Sequence, residues 1–389
     1  MNKKLGYYTI GQATFDSKIE ACITATKILQ NLTVQVDPFS LVTWHFNNEV
    51  FSSYKWTEEP KSSLDDLYYA RAKYLREKYD YLIISYSGGA DSHNLLMSFL
   101  NQKLHVDEVV VTHMHKAMKD YAVIDIDEKS SIYAYSSEYE LQTIPRLKEI
   151  SSMSPTTKIR VFDVSDAVLE AFSSKKDESW ILHVREELNP VDASRYNYLQ
   201  FPEFKKQLDF DKKIGIVLGV DKPRLQIDNN TGKVYTCFID RIANISPIGQ
   251  YAKDYTNTTI EYFYWSPDAC DLLCKQAHTV LKWLKDKPFI QKFFHRHNPS
   301  LSRLVNERLL RPILYSTWNN NWFQADKGYQ DWYSTFDMWF IEKHKNTLEY
   351  LLWKKGLLHV VKNCNPYLYD PRRPDGLRPF QSDYLIATL

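Results

Sequence analysis

One short segment combines the residue types that bind phosphate and magnesium. It reads Ser-Gly-Gly-Ala-Asp-Ser over residues 87–92, here named the glycine loop. An apolar stretch precedes it and a helix-forming stretch follows it, so the loop is predicted to join a strand to a helix. N–H groups and the positive dipole end of a helix bind anions, and glycine allows close backbone approach. Ser87 and Ser92 add hydroxyl groups, and Asp91 provides the hard oxygen ligands that suit Mg²⁺. The glycine loop therefore predicts a phosphate site with a metal ion.

The pattern Ser-Gly-Gly-x-Asp-Ser resembles the pyrophosphate-binding loop of the PP-loop ATP pyrophosphatases. Within that superfamily, the chain is most similar to the asparagine-synthase-like and phosphoadenosine-phosphosulfate-reductase-like branch. The resemblance implies a Rossmann-like fold of PP-loop type, with ATP and Mg²⁺ as cofactors. It also implies that the loop residues bind the nucleotide: Ser87, Gly88, Gly89, Ala90, Asp91 and Ser92. A Walker A loop is excluded, since Thr231-Gly232-Lys233 lacks the first glycine of that motif. Residues 229–232 instead predict the turn of a hairpin between strands at residues 225–228 and 233–240.

The resemblance favours an enzyme that cleaves ATP between the α and β phosphates. Such an enzyme adenylates an acceptor, releases pyrophosphate, and lets a nitrogen or other nucleophile displace AMP, as amidoligases do. Two alternatives stay open. The first is a sulfonucleotide reductase or transferase in which Cys364 attacks sulfur, although the residues around Cys364 match that family's tail poorly. The second is a non-catalytic nucleotide-binding protein. A glutaminase domain of the asparagine synthetase kind is not expected, because position 2 is Asn2 where those enzymes have a catalytic cysteine.

Apolar strands alternate with helices around the glycine loop. Strands are predicted at residues 81–85, 106–112, 158–164 and 213–219, and helices at residues 62–75, 92–100, 137–150 and 165–172. Continuous apolar strands that alternate with helices are typical of a parallel sheet with helices on both faces. The fold class is therefore α/β, and ligands are expected beyond the carboxyl ends of the strands.

That rule indicates further candidates after the strand that ends at Gly219. PP-loop enzymes commonly place a Mg²⁺-binding acid or a phosphate-binding base on a loop after a late strand. The resemblance therefore implies that Gly219 lies near the nucleotide and that Asp221 binds the metal together with Asp91. Lys222 or Arg224 is expected to neutralise phosphate charge in the transition state. An ordinary solvated turn is the alternative for this charged group.

Three histidines and two cysteines have competing interpretations. Thr112 and His113 end another predicted strand, where related enzymes contact the adenosine, but His113 is as readily a structural histidine. His93 lies in the first turn of the loop helix, so we expect a lowered pKa and a neutral ring. Residues Cys270, Cys274 and His278 share a helix face, but the outer two are too far apart along the axis for one metal ion, which favours a packing role.

Composition sets the remaining expectations. The 389 residues exceed one ordinary domain, and three segments are predicted: an α/β extension at 1–60, the nucleotide-binding domain at 61–250, and an α-rich aromatic region at 251–389. A net charge of +1 does not indicate nucleic-acid binding, and no apolar run could span a membrane. Neither a signal peptide nor a disulfide framework is evident, so a cytoplasmic protein is expected. Its partner is expected to be a small-molecule or nucleotide acceptor, and a homo-oligomer is possible.

Overall fold

The computed structural model describes residues 6–32, 37–113, 116, 139–166, 206, 211–220, 222, 224–240, 257–296, 309–322, 345–348, 351 and 380–389. A small antiparallel sheet with the strand order β2-β1-β3 forms the first part. Its elements, with the two helices that accompany them, are β1 (Tyr7–Ile10), β2 (Ala13–Phe15), α1 (Lys18–Asn31), β3 (Thr43–His45) and α2 (Asn48–Phe51).

The central part alternates helices and strands. Its elements are α3 (Leu64–Lys78), β4 (Tyr81–Ser85), α4 (Ala90–Leu100), β5 (Glu108–His113), a π-helical turn (Tyr139–Thr143), α5 (Ile144–Met153), β6 (Lys158–Asp163) and β7 (Ile214–Leu218). Later described elements are β8 (Arg224–Ile227), β9 (Lys233–Ile239), β10 (Thr258–Tyr262), α6 (Cys270–Leu284), α7 (Pro288–Gln291), α8 (Leu310–Leu314) and β11 (Gln381–Thr388).

Five strands form a parallel sheet in the order β10-β7-β4-β5-β6. The chain extends the sheet in one direction from β4 to β6, and then returns to the other side of β4 with β7 and β10. The strand order therefore reverses between β4 and β7. At that point Ser85 of β4 lies opposite Leu218 of β7. In open α/β sheets, ligands bind at such a reversal, beyond the carboxyl ends of the strands.

The sequence explains the central strands and the helix that follows β4. Strand β7 is buried along its whole length, as expected for an apolar strand covered on both faces. Helix α3 begins at Ser63 with a capping box, in which Ser63 and Asp66 bond each other's backbone N–H. Helix α4 begins at Gly89, which has no side chain to bond the first N–H groups.

The predicted hairpin after residue 224 is confirmed. Strands β8 and β9 are antiparallel, and Gly232 lies in the turn between them with φ of +66°. Strand β11 extends this hairpin into a three-stranded sheet by pairing with β9. Phe238 of β9 joins it to the rest of the core, since its ring stacks on Phe51 at 4.8 Å and meets Trp265 at 5.0 Å.

The predicted α/β class is confirmed at the level of a five-stranded parallel sheet flanked by helices. The predicted strand at 106–112 runs from Glu108 to His113, and the predicted helix at 165–172 lies mostly outside the described residues. Residues 258–262, which the predicted boundary at 250 assigned to the last segment, form β10 at an edge of the parallel sheet. In the described part of the chain, no helix has the length and apolar character needed to cross a membrane.

Candidate functional site

The glycine loop connects β4 to α4 at the reversal of the strand order. Gly88 has a φ of +78°, a conformation that glycine adopts without the strain a Cβ would add. Two hydroxyl groups hold the turn together: the Oγ atoms of Ser87 and Ser92 lie 3.1 Å apart, and Ser92 Oγ donates to the carbonyl of Gly89. The N–H of Ser87 also donates to Ser92 Oγ at 3.2 Å. The side chains of Ser87 and Ser92 therefore stabilise the turn through hydrogen bonds within the loop.

The loop carbonyls are bound from outside by the π-helical turn and α5. Thr143 Oγ1 donates to the carbonyl of Ser87 at 3.1 Å. Gln142 Nε2 and an Arg146 Nη donate to the carbonyl of Gly88 at 2.7 and 3.2 Å. All three donor residues are buried. We name Gln142, Thr143 and Arg146 the carbonyl clamp.

The carbonyl clamp fixes the direction of the loop N–H groups. In a trans peptide the C=O and the N–H point in opposite directions. Because the carbonyls of Ser87 and Gly88 face the clamp, the N–H groups of Gly88 and Gly89 face the inside of the turn, where the N–H of Gly89 donates to Ser87 Oγ at 3.3 Å. The N–H groups of Ala90, Asp91 and Ser92 belong to the first turn of α4, which has no intrahelical acceptors for them. The N–H of Gly88 and those of the first turn of α4 are therefore the candidate donors of a nest for an anion.

The chain after β7 lies directly against the start of α4. A Cβ on Gly219 would come within 3.0 Å of the backbone N and Cα of Ser92. Only glycine therefore fits there without movement of one of the two segments. This close approach brings the residues after Gly219 to the first turn of α4, as predicted from the strand ends.

Two side chains from distant parts of the chain contact the Asp91 carboxylate. Lys222 Nζ lies 3.2 Å from both carboxylate oxygens, and Tyr315 Oη donates to Oδ1 at 2.5 Å. The Lys222 side chain is 6% exposed and that of Asp91 is 24% exposed. Burial and the nearby Asp91 charge raise the pKa of Tyr315 well above its usual range, so its hydroxyl remains a donor.

Two buried tyrosines, Tyr264 and Tyr68, bind the backbone of the segments that carry Asp91 and Tyr315. Tyr264 Oη donates to the backbone carbonyl of Asp91 at 3.0 Å and accepts from Asn94 Nδ2 at 3.1 Å. Tyr68 Oη donates to the carbonyl of Leu314, in the residue before Tyr315. Burial raises the pKa of Tyr264 well above its usual range, as it does for Tyr68. Asp91 is therefore held through both its side chain and its backbone.

His93 is part of the packing behind the loop. Its Nδ1 lies 3.1 Å from Tyr86 Oη, and its ring packs edge-on against Trp322. Burial, with the charge of Arg146 as a second cause, lowers the pKa of His93 to about 4. The ring is therefore neutral at pH 7. Its lowered pKa agrees with the sequence expectation, although the causes are burial and Arg146 and not the helix end.

Arg146 lies between the loop and two tryptophans. Its guanidinium is 4.8 Å from the ring centroid of Trp318 and 4.3 Å from that of Trp322. Cation–π contacts of this kind hold the planar side chain in one orientation. The segment at residues 309–322 therefore contacts the site twice, through Tyr315 at Asp91 and through its tryptophans at the carbonyl clamp.

The remaining predicted site residues are placed as follows. Thr112 and His113 end β5, and the buried His113 ring stacks on Tyr139 of the π-helical turn with centroids 3.5 Å apart. Arg224 is the first residue of β8 and pairs in register with Cys237, whereas Lys222 reaches Asp91. Asp221, the second predicted metal ligand, lies outside the described residues. Cys364 of the sulfur-chemistry alternative is also outside them.

The cysteine and histidine set on α6 has the packing role that the spacing favoured. Cys270, Cys274 and His278 are all buried. Cys274 Sγ donates to the carbonyl of Trp56, and His278 Nε2 contacts the same carbonyl. Burial raises the pKa of Cys274 to about 12, so its thiol is not a reactive thiolate at neutral pH. The four cysteines within the described ranges are free.

The site fits Mg²⁺ only if phosphate supplies most of its ligands. Within the ranges the structure describes, no group of three or more His, Cys, Asp or Glu side chains could hold a metal ion. Asp91 offers a partly exposed carboxylate next to the nest. One carboxylate with phosphate oxygens and water is the arrangement that Mg²⁺ commonly takes in nucleotide sites. The donor set therefore suits a metal that arrives with polyphosphate.

Sequence reasoning missed the carbonyl clamp and Tyr315. A signal for Arg146 was present, because it shares the apolar face of α5 with Leu147 and Ile150, where a charged residue needs a specific partner. No local pattern marks Tyr315, which lies 224 residues from Asp91 in sequence.

Comparison with known proteins gives no match: no protein-family model matches the chain, and no curated protein matches it in sequence. The function proposed for the chain therefore depends on the geometry of the glycine loop, the carbonyl clamp and the Asp91–Lys222 pair. The resemblance of the loop to PP-loop enzymes remains a prediction from its motif.

Proposed function

We propose that this chain binds ATP with Mg²⁺ and adenylates an acceptor molecule, with pyrophosphate as the leaving group. The observation that supports this most directly is the loop at the strand reversal, whose carbonyls are held outward by Gln142, Thr143 and Arg146. A nest of N–H groups suits a bound phosphate that does not itself react. The β and γ phosphates fill that role when the bond to the α phosphate breaks.

The proposed reaction assigns specific tasks to the residues of the loop. An acceptor oxygen attacks the α phosphorus, and the bond from that phosphorus to the bridging oxygen breaks. Pyrophosphate leaves with the electron pair, and the N–H groups of the glycine loop stabilise the charge that develops on it. Asp91 would hold Mg²⁺, which supplies further neutralisation of phosphate charge, and Lys222 would contact a phosphate oxygen. A nitrogen or other nucleophile then displaces AMP from the acceptor.

The test is to identify the bond that is broken. The protein is incubated with Mg²⁺, ATP labelled at the α phosphate, and pools of candidate carboxylate, amide and nucleoside acceptors, and the labelled products are separated. AMP or an adenylated acceptor, formed in equal amounts with pyrophosphate, is the expected result. ADP with inorganic phosphate would overturn the proposal. ATP binding without turnover in any pool would favour the non-catalytic alternative.

A variant pair ties that activity to the loop. Asp91→Asn preserves the side-chain volume and one acceptor oxygen but removes the charge that would hold the metal, so AMP formation is expected to be lost. Asp286→Asn is the matched control, because Asp286 is exposed on the loop after α6. Unchanged AMP formation in Asp91→Asn would reject the role assigned to Asp91.

A further inference from the structure

The Asp91–Lys222 ion pair joins the two charged side chains that the proposed site offers to its ligands. Lys222 Nζ contacts both oxygens of the Asp91 carboxylate at 3.2 Å. The ammonium is almost fully buried, whereas the carboxylate retains a quarter of its exposure. A buried ion pair that loses one member leaves the other group desolvated, which is strongly unfavourable. The affinity for a ligand that binds only Asp91 or only Lys222 is therefore lowered by the free energy needed to break the pair.

A metal ion alone and an anion alone each disturb this pair. A cation that binds the Asp91 carboxylate competes with Lys222 for the same oxygens and also meets the positive charge of the ammonium. An anion in the glycine loop that binds Lys222 withdraws the ammonium from Asp91 and also meets the negative carboxylate. When both ligands are present, the carboxylate faces the metal and the ammonium faces the phosphate, so each charge keeps an opposite partner.

We propose that the site takes a divalent cation and a polyphosphate only as one complex, because the Asp91–Lys222 pair is exchanged for two new pairs. This inference rests on the proposed function, since it takes the glycine loop as the phosphate site. It adds that neither free metal nor metal-free polyphosphate is a ligand of appreciable affinity. Tyr315 Oη also donates to Asp91 Oδ1 and keeps the carboxylate in place during the exchange.

The first measurement uses the unaltered protein and inorganic pyrophosphate. Isothermal titration gives its affinity with saturating Mg²⁺ and with EDTA, and electron paramagnetic resonance gives the affinity for Mn²⁺ alone. Pyrophosphate is expected to bind about tenfold or more tightly with the metal, within the range of common coupling energies. Mn²⁺ alone is expected to bind weakly. Equal pyrophosphate affinity with Mg²⁺ and with EDTA would overturn the inference.

Two variants separate the protein's contribution from the association of Mg²⁺ with pyrophosphate in solution, which is the same in every sample. Asp91→Asn frees Lys222 from its carboxylate, so metal-free pyrophosphate should bind several-fold more tightly than to the unaltered protein. Lys222→Met frees the carboxylate, so Mn²⁺ alone should bind several-fold more tightly. In both variants, the gain in pyrophosphate affinity that the metal provides should shrink.

The matched control is Lys275→Met, because Lys275 also forms a partly buried ion pair, at 2.8 Å from Glu59, far from the loop in the sequence. Its affinities should equal those of the unaltered protein. If Lys222→Met fails to fold, Lys222→Gln retains a polar end, and the Asp91→Asn measurement stands independently. Weaker metal-free pyrophosphate binding by Asp91→Asn would overturn the inference.

The two proposals fail in different ways. If pyrophosphate binds equally well without metal, the proposed exchange of ion pairs is rejected, but the glycine loop is retained as a phosphate site. If pyrophosphate binds neither with nor without metal, the glycine loop is not a phosphate site, and both proposals are rejected. AMP formation that occurs with a metal-independent pyrophosphate affinity would retain the proposed function alone.

Discussion

Gly88 adopts a left-handed backbone conformation and packs tightly against the carbonyl clamp. A Cβ at this position would come within 2.4 Å of Thr143 Oγ1 and 3.1 Å of the Thr143 Cα. Such a contact has to be relieved by movement of the loop or of the clamp. The shape of the anion nest therefore depends on the absence of one side-chain atom.

Gly88→Ala is expected to destabilise the protein by about 2–4 kcal/mol, from positive-φ strain together with the clash. It should also weaken pyrophosphate binding, because the loop N–H groups are displaced. Gly11→Ala is the matched control, since Gly11 has a φ of +54° but a Cβ there would meet nothing within 4 Å. Urea unfolding should show a loss of only about 1 kcal/mol for Gly11→Ala. Equal losses in the two variants would contradict the clash.

His93 gives the protein a specific dependence on pH. Its pKa is about 4 in the folded state and near 6.5 when unfolded, a gap that corresponds to about 3 kcal/mol. Between these values the unfolded state binds the extra proton, so stability is complete above pH 6.5 and decreases as the pH falls toward 4. Urea unfolding at several pH values should show this decrease.

His93→Gln should remove that part of the pH dependence, because glutamine does not titrate. His105→Gln controls for the loss of a nearly half-exposed histidine, and the decrease assigned to His93 should remain in that variant. A His93→Gln profile parallel to that of the unaltered protein would contradict the role assigned to His93. The profile of the variant is subtracted from that of the unaltered protein, because the contributions of the other titrating groups cancel in the difference.

The π-helical turn and α5 act on the loop as one element. Gln142 is the nearest donor to the Gly88 carbonyl, at 2.7 Å, and Arg146 donates to both that carbonyl and the carbonyl of Gln142. A π-helical turn widens the helix by one residue and is often found at functional sites. Here it places Gln142 and Thr143 next to the loop.

Gln142→Leu is expected to weaken pyrophosphate binding about tenfold, because a buried carbonyl loses its better donor and the peptide can rotate. Ser152→Ala on the same helix is the control, since Ser152 bonds only the carbonyl of Lys148 at an exposed position. Titration of Mg²⁺-pyrophosphate measures both affinities. An unchanged affinity for Gln142→Leu would show that the loop keeps its shape without the clamp.

The elements that could be predicted from the sequence are those that a local pattern of residue types indicates. The apolar run of β7, the turn residues of the hairpin and the glycine loop each have their signal within a few residues. The position of Lys222 followed from a rule on strand ends that needs no distant contact. Tyr315 and the carbonyl clamp could not be predicted in this way, because their roles depend on which segments the fold brings together.

One buried carboxylate, that of Asp240, connects segments near both ends of the described chain. Lys18 Nζ lies 2.9 Å from Asp240 Oδ2, and both side chains are almost completely buried. Tyr8 Oη also donates to Asp240, and the N–H of Phe380 donates to its other oxygen at 3.0 Å. Asp240 thus joins β1, α1, the end of β9 and the residue before β11.

Lys18→Met is expected to lower the free energy of unfolding by about 3–5 kcal/mol, because it leaves the Asp240 charge buried. Lys55→Met tests the same chemistry at the surface, since the Lys55–Glu58 pair has a similar distance of 3.1 Å but is largely exposed. Its loss should stay below about 1 kcal/mol. Denaturant unfolding compares the two, and the folded Lys18→Met protein should retain its affinity for Mg²⁺-pyrophosphate.

The separation of Tyr315 from Asp91 has a consequence for how the protein is made. A ribosome completes the glycine loop, its helix and the carbonyl clamp long before it adds the segment that contains Tyr315, Trp318 and Trp322. Chains fold progressively as they emerge, beginning with their amino-terminal parts. A nascent chain halted before residue 309 would therefore possess the loop without the hydroxyl that holds its carboxylate. The order of synthesis thus sets a delay between the first appearance of this site and its final assembly.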